Sequence, residues 1–187
     1  MGKPAPFGRV VLDACVLFPT VLREVLQGAA KAGLFQPVYS DRILREWVLA
    51  TAKLGPAAPA LAATEAALFR ADFPAGLIRP HPEIEARLLL PDPDDLHVLA
   101  TAIAAGAEAI VTFNAQDFPG HVLAAEGLAR RDPDGFLWEM HSHQPERIAA
   151  IVEAVRAKAE AMAEGPVPLK TLMKRARLYR LGKALGA

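Results

Sequence analysis

A single cysteine, Cys15, occurs in 187 residues. That excludes an internal disulfide and any cysteine-based zinc site, and it fits a reducing compartment, the cytoplasm. Net charge is also missing: 21 Lys and Arg balance 21 Asp and Glu, so the average carries no argument about a polyanionic partner. No run reaches the ~20 uninterrupted apolar residues of a membrane span. The opening MGKPAPFGRVVLDACVLF has too short an apolar run for a signal peptide, and Asp13 interrupts it. No internal repeat is visible. What the chain does contain is 52% apolar against 22% charged residues, the balance of one ordered globular body with Ala-rich helices.

Strand and helix patterns alternate along it. RVVLDACVLF reads as a buried strand ending near Asp13, followed by a helix from about Thr20 to Lys31 closed by Gly33. FQPVY is a second strand, and Ser40 is the N-cap of an amphipathic helix, DRILREWVLATAKL, that stops at Gly55-Pro56. An Ala-rich helix spans about Ala57 to Arg70. GLIRPH gives a third strand that Pro80 and Pro82 confine to an edge. Asp92 and Pro93 start a helix running to Gly106, AEAIVTF is a buried fourth strand, PGHVLAAEGLA is helical, LARR is a short fifth strand, and Asp132-Pro133 opens another helix. This alternation predicts an α/β fold: a parallel sheet of about five short strands in an α/β/α arrangement, followed by C-terminal helices. The expected division is a body over residues 1–140 and a helical extension over 141–187.

Ligands of open parallel sheets bind beyond the carboxyl ends of the strands, where strand order reverses. Asp13 closes strand one, and Asn114 and Asp117 follow strand four, so the two share a crevice if the strands are neighbours. At 100° per residue, Asp95 shares a helix face with Val98, Leu99 and Ala102, while His97 points away from it towards solvent. Glu46 borders the apolar face formed by Ile43, Leu44 and Trp47. Asp13, Glu46, Asp95 and Asp117 would repel one another without a cation. Oxygen ligands without His or Cys select Mg²⁺ or Mn²⁺, and such ions on carboxylates usually face a phosphate-bearing substrate. Metal-assisted phosphodiester hydrolysis is the expected chemistry.

The stretches VVLDACVLF, SDRILREW and PDPDDLHVLATAIAAGAEAIVTFNAQDFP resemble the PIN-domain ribonucleases, in the branch that includes VapC-type toxins of toxin–antitoxin pairs. The resemblance covers about residues 8–140 and is strongest from Asp92 to Pro119; the later helices resemble the extension of one VapC subgroup. It implies a PIN-like fold and an acidic quartet on Asp13, Glu46, Asp95 and Asp117. Thr112 and Asn114 match the family's supporting polar positions. It also implies an RNA substrate, a small cognate antitoxin and a homodimer. Cys15 departs from the pattern, since many PIN domains carry Asn there, and this puts a hydrogen bond to the first Asp in question.

Each residue also has a plainer reading. Asp92 and Asp94 are read as helix-start acids that complement the dipole, worth ~0.3–1 kcal/mol each, and Cys15 as a small buried hydrophobe. Glu46 is equally suited to an i,i+4 pair with Arg42. His141 and His143 have a metal-like spacing but no third His or Cys, and are read as exposed loop residues; His81, His97 and His121 are assigned to the surface, Trp47 and Trp138 to core or interface. From Gly165 onward lie Lys170, Lys174, Arg175, Arg177, Arg180 and Lys183 with no acid among them. This basic tail is a solvated helix face, an RNA-phosphate contact or an antitoxin-docking surface. The alternative to a nuclease is a catalytically silent PIN-like scaffold that binds RNA or a protein through this tail. An aspartyl-nucleophile phosphatase is disfavoured because its second Asp would stand at position 15, and a receiver domain because no Asp closes FQPVY.

Overall fold

The computed structural model describes residues 8–187; the first seven residues of the stretch weighed as a signal peptide lie outside them. The first half of the described chain runs β1 (Arg9–Leu12), α1 (Ala14–Leu17), α2 (Thr20–Lys31), β2 (Gln36–Ser40), α3 (Asp41–Ala50), α4 (Ala58–Asp72), β3 (Leu77–Ile78) and α5 (Pro82–Glu85). The second half runs α6 (Leu96–Ala105), β4 (Ala109–Val111), α7 (Gly120–Ala125), β5 (Ala129–Arg131), α8 (Pro133–His143), α9 (Pro145–Ala163), α10 (Leu169–Arg175) and α11 (Tyr179–Ala184). All strands pair in parallel, in the order β3-β2-β1-β4-β5. The fold is the expected PIN-like α/β/α arrangement.

Three layers follow from burial along the central strands. Successive strand side chains point to opposite faces, yet Val10, Val11 and Leu12 of β1 and Ala109, Ile110 and Val111 of β4 are all 0% exposed. Both faces of the sheet are therefore covered. The helices beyond residue 140 contribute to the same core through Val152, Val155, Leu172 and Leu181. The stripe Ile148, Val152, Val155 turns α9 inward, and it lies against α2. No helix of the described residues is long and apolar enough to cross a membrane.

The local signals act as physical chemistry requires. Ser40 accepts a hydrogen bond from the Ile43 amide at 3.3 Å, and Asp132 accepts one from the Gly135 amide at 2.8 Å, each closing an N-terminal orphan donor. Gly106 ends α6 in the left-handed region at φ 58°. Three expectations fail. Pro93–Asp95 forms a 3₁₀ turn and the α-helix starts only at Leu96, so a wheel drawn at 100° per residue through the whole segment has the wrong phase. In addition, α6 is buried on nearly all sides, with α5 against it as well as the strands. His97, expected in solvent, is 4% exposed. His141 and His143 sit in the last turn of α8, not in a loop.

Candidate active site

The chain lays down β1, β2 and β3 in one direction, then crosses back to place β4 and β5 on the other side of β1. Strand order reverses between β1 and β4, which pair with Leu12 beside Val111. The residues following those two positions open the crevice that such a reversal creates. They are Asp13 and Thr112.

Asp13 is only 5% exposed. A buried carboxylate needs partners, and its Oδ2 accepts from Thr112 Oγ1 at 2.7 Å and from the Cys15 thiol at 3.2 Å. Thr112 Oγ1 in turn accepts from the Asn114 amide at 2.9 Å, and Cys15 Sγ accepts from the Phe113 amide at 3.3 Å. Cys15 is thus not merely an apolar filler: its thiol supplies the donor that the departure from Asn had put in question. Burial, and then the charge of Asp13, push that thiol up to about 12, so it remains protonated and donating. Asn114 contributes its backbone amide to this network, and its residue is exposed.

The other carboxylates converge from two segments. Asp92, Asp95 and Asp117 present oxygens that all lie within 4.8 Å of one another. Asp92, expected as a helix-start acid, does cap, its Oδ1 accepting from the Asp94 amide at 2.9 Å. The two roles coexist because a carboxylate has two oxygens. The tight turn also matters: the Asp95 amide donates to the Asp92 carbonyl at 3.2 Å, which closes a 3₁₀ turn between the two residues. Asp117 is held indirectly. Arg130 of β5 donates to the carbonyls of Ala115 and Phe118 at 2.7 and 2.8 Å, pinning the loop that carries it. Nothing in the sequence singled out Arg130.

Asp95 bears the electrostatic consequence. Its Oδ2 is buried with no hydrogen-bond partner. Burial first, then the charges of Asp13, Asp117, Asp92 and Glu46, raise its carboxyl from 3.8 to about 6. Glu46 reaches the rim but is not one of the three clustered acids. It is engaged by Arg42 Nε at 3.2 Å and by His97 Nε2 at 2.9 Å. The His97 contact has the distance of an ion pair without the alignment of a hydrogen bond, and neither ring nitrogen has a hydrogen-bond partner. Arg42 also donates to the Asp94 carbonyl at 3.1 Å, tying α3 to the acidic turn. Both the expected i,i+4 pair and the proximity to the acids are therefore present.

An all-oxygen set with an unsatisfied buried oxygen and mutual repulsion fits a hard divalent cation. Such a cation would return Asp95 to its ionised form. Comparison with curated proteins and with solved structures finds no match for this chain. Among protein families, the model for the PIN domain matches residues 9–116, ending one residue before Asp117. The match takes in β1 through β4, the crossover at the crevice and most of the acids in it, and extends over more than half of the chain: this protein belongs to the PIN-domain family, whose members are generally nucleases.

Proposed function

We propose that the protein is a metal-dependent endoribonuclease that acts as the toxin of a toxin–antitoxin pair. The observation that carries the reading is Asp95, a carboxylate with a buried, unpartnered oxygen among four other acids at the sheet's reversal point. Mg²⁺ or Mn²⁺ bound there would supply Lewis acidity towards a phosphodiester and a nucleophilic water. Asp92, Asp95 and Asp117 are the residues to hold it, with Asp13 beside them. Asp13 keeps one oxygen for this purpose because Thr112 and Cys15 engage only the other. Glu46, gripped at the rim by Arg42 and His97, is suited to orient water or to take a second ion. Cys15 and Thr112 are positioning residues, since they act through Asp13.

The test is cleavage of a mixed RNA pool by the purified protein with and without Mn²⁺. Wild type is expected to cut only with metal, and Asp95→Asn and Asp13→Ala are expected not to cut. Wild-type cleavage by Asp13→Ala would sink the assignment. The toxin role, the small antitoxin and self-association are part of the same reading. Induced expression is expected to arrest growth, with Asp95→Asn relieving the arrest; arrest by that variant at the wild-type level would separate toxicity from hydrolysis.

A further inference from the structure

The cations after Gly165 take no part in the carboxylate crevice, yet the fold leads from one to the other. Eight Lys and Arg side chains elsewhere in the described residues are ion-paired with carboxylates. None of the six tail cations is in an ion pair among the described residues. Two of them rest on aromatic faces: Arg177 Cζ lies 4.5 Å from the Phe113 ring centre, and Arg180 Cζ 3.5 Å from that of Trp138. A guanidinium stacked this way keeps its N–H edge free for phosphate.

Arg177 follows α10 at φ 59°, a backbone position where glycine is the usual residue. Its side chain forms one wall of a cleft of about 460 Å³ together with Thr112, Phe113, Arg130 and Tyr179. Thr112 is the residue that donates to Asp13, so the cleft and the crevice share a residue of their walls. Asp132 and Asp134 also line it, but both are occupied as caps: Asp132 accepts from the Gly135 amide, and Asp134 from the amides of Arg180 and Leu181. At the far end stands Tyr179, 62% exposed. It borders a second cleft, lined by Lys170, Lys174 and Lys183.

We propose that this track, from Thr112 over Phe113–Arg177 and Tyr179 to the three lysines, is a binding groove for single-stranded RNA. Arg177 and the lysines neutralise phosphates flanking the scissile one, and Tyr179 stacks a base. The proposal rests on the nuclease reading and deepens it. A substrate that must bring a phosphate to a cluster of carboxylates needs counter-charge beside them, and the tail supplies it. An exposed aromatic set between cations is the chemistry that holds unpaired nucleotides; an acidic peptide has no use for the ring.

The experiment is fluorescence anisotropy of a short fluorescein-labelled oligouridylate with the full chain in EDTA, so that binding is read without cleavage, across a salt series. Changing Lys170, Lys174, Arg177 and Lys183 to Gln together is expected to weaken binding at least about tenfold. The slope of log affinity against log salt is expected to fall by about 0.7 for each phosphate that is no longer neutralised. Tyr179→Ala, an exposed and therefore structurally mild change, is expected to weaken binding about tenfold with the slope unchanged. Unaltered affinity and slope in these variants would overturn the proposal, as would absence of RNA binding by wild type. Displacement of the RNA by polyglutamate as effectively as by unlabelled RNA would also overturn it and assign the track to an acidic polypeptide. Failure of the nuclease reading looks different: RNA is then bound through the track but not cut when Mn²⁺ is added.

Discussion

At the scale of single residues, the crevice is held together by groups of modest strength around one buried charge. Thr112 donates to Asp13 and accepts from Asn114, so Thr112→Val keeps the shape and removes both bonds. Leaving a buried carboxylate with only a weak thiol donor costs ~1–3 kcal/mol. The urea midpoint is expected to fall by that amount with the slope unchanged. Cleavage is expected to drop about tenfold if ~1.4 kcal/mol of positioning is lost with it. An unchanged midpoint would show that Cys15 alone satisfies Asp13. Asp13, Asp95 and Asp117 were legible in the sequence because each is an acid where an apolar strand ends or an apolar helix face begins. Asp92 was not, because a helix-start role already accounts for an acid before Pro93 and the second oxygen of a carboxylate leaves no trace in a sequence. Cys15 was misjudged for a related reason: its donor matters only once Asp13 is known to face it.

At the scale of elements, periodicity gave the strands and long helices, and phase was the weak point. The expected Thr20 to Lys31 helix and the Ser40 cap are both present as read. The acidic turn reads as the first turn of an α-helix, whereas it is 3₁₀, although Asp132-Pro133 carries the same cap and proline and opens an α-helix directly; and a one-sided face is expected for a helix that neighbours surround. No sequence pattern says how many sides of a helix will be covered; that is fixed by the packing of α5 and of the strands against α6. The edge of the sheet offers a sharper test of packing. A Cβ on Gly76 would come within 2.1 Å of the Pro37 carbonyl oxygen, at the point where the chain enters β3 beside β2. Backbone cannot yield as a side-chain tip does, so Gly76→Ala is expected to cost ~1–3 kcal/mol through displaced backbone. Thermal unfolding reads the loss directly; a wild-type midpoint would mean that the edge strand shifts freely.

At the scale of the whole molecule, zero net charge conceals an acidic crevice beside a basic tail, and the crevice makes stability depend on pH and on metal in opposite senses. Without metal, Asp95 holds its proton up to about 6 when folded against 3.8 ordinarily. The folded state then binds more protons than the unfolded one between those values, so the stability that Asp95 contributes is fully present below about 3.8 and is lost as pH rises through about 6. Partial exposure of the site screens the effect, and we expect it to be on the order of 1 kcal/mol. Metal-free Asp95→Asn, which has no such charge to accommodate, is therefore expected to melt above wild type at pH 7.5. A divalent cation reverses the order. It binds the ionised acids of the folded chain, raising stability by about 2.7 kcal/mol at a hundredfold excess over its dissociation constant. This gain is expected to be full well above pH 6, to fade below it as protons compete for Asp95, and to be largely absent in Asp95→Asn. Melting curves with Mn²⁺ or EDTA at pH 5 and pH 7.5 give all the comparisons. If wild type gains as much from Mn²⁺ at pH 5 as at pH 7.5, the ion is not on Asp95. If the metal-free variant melts below wild type at pH 7.5, the crowding of carboxylates is not the source of strain in this fold.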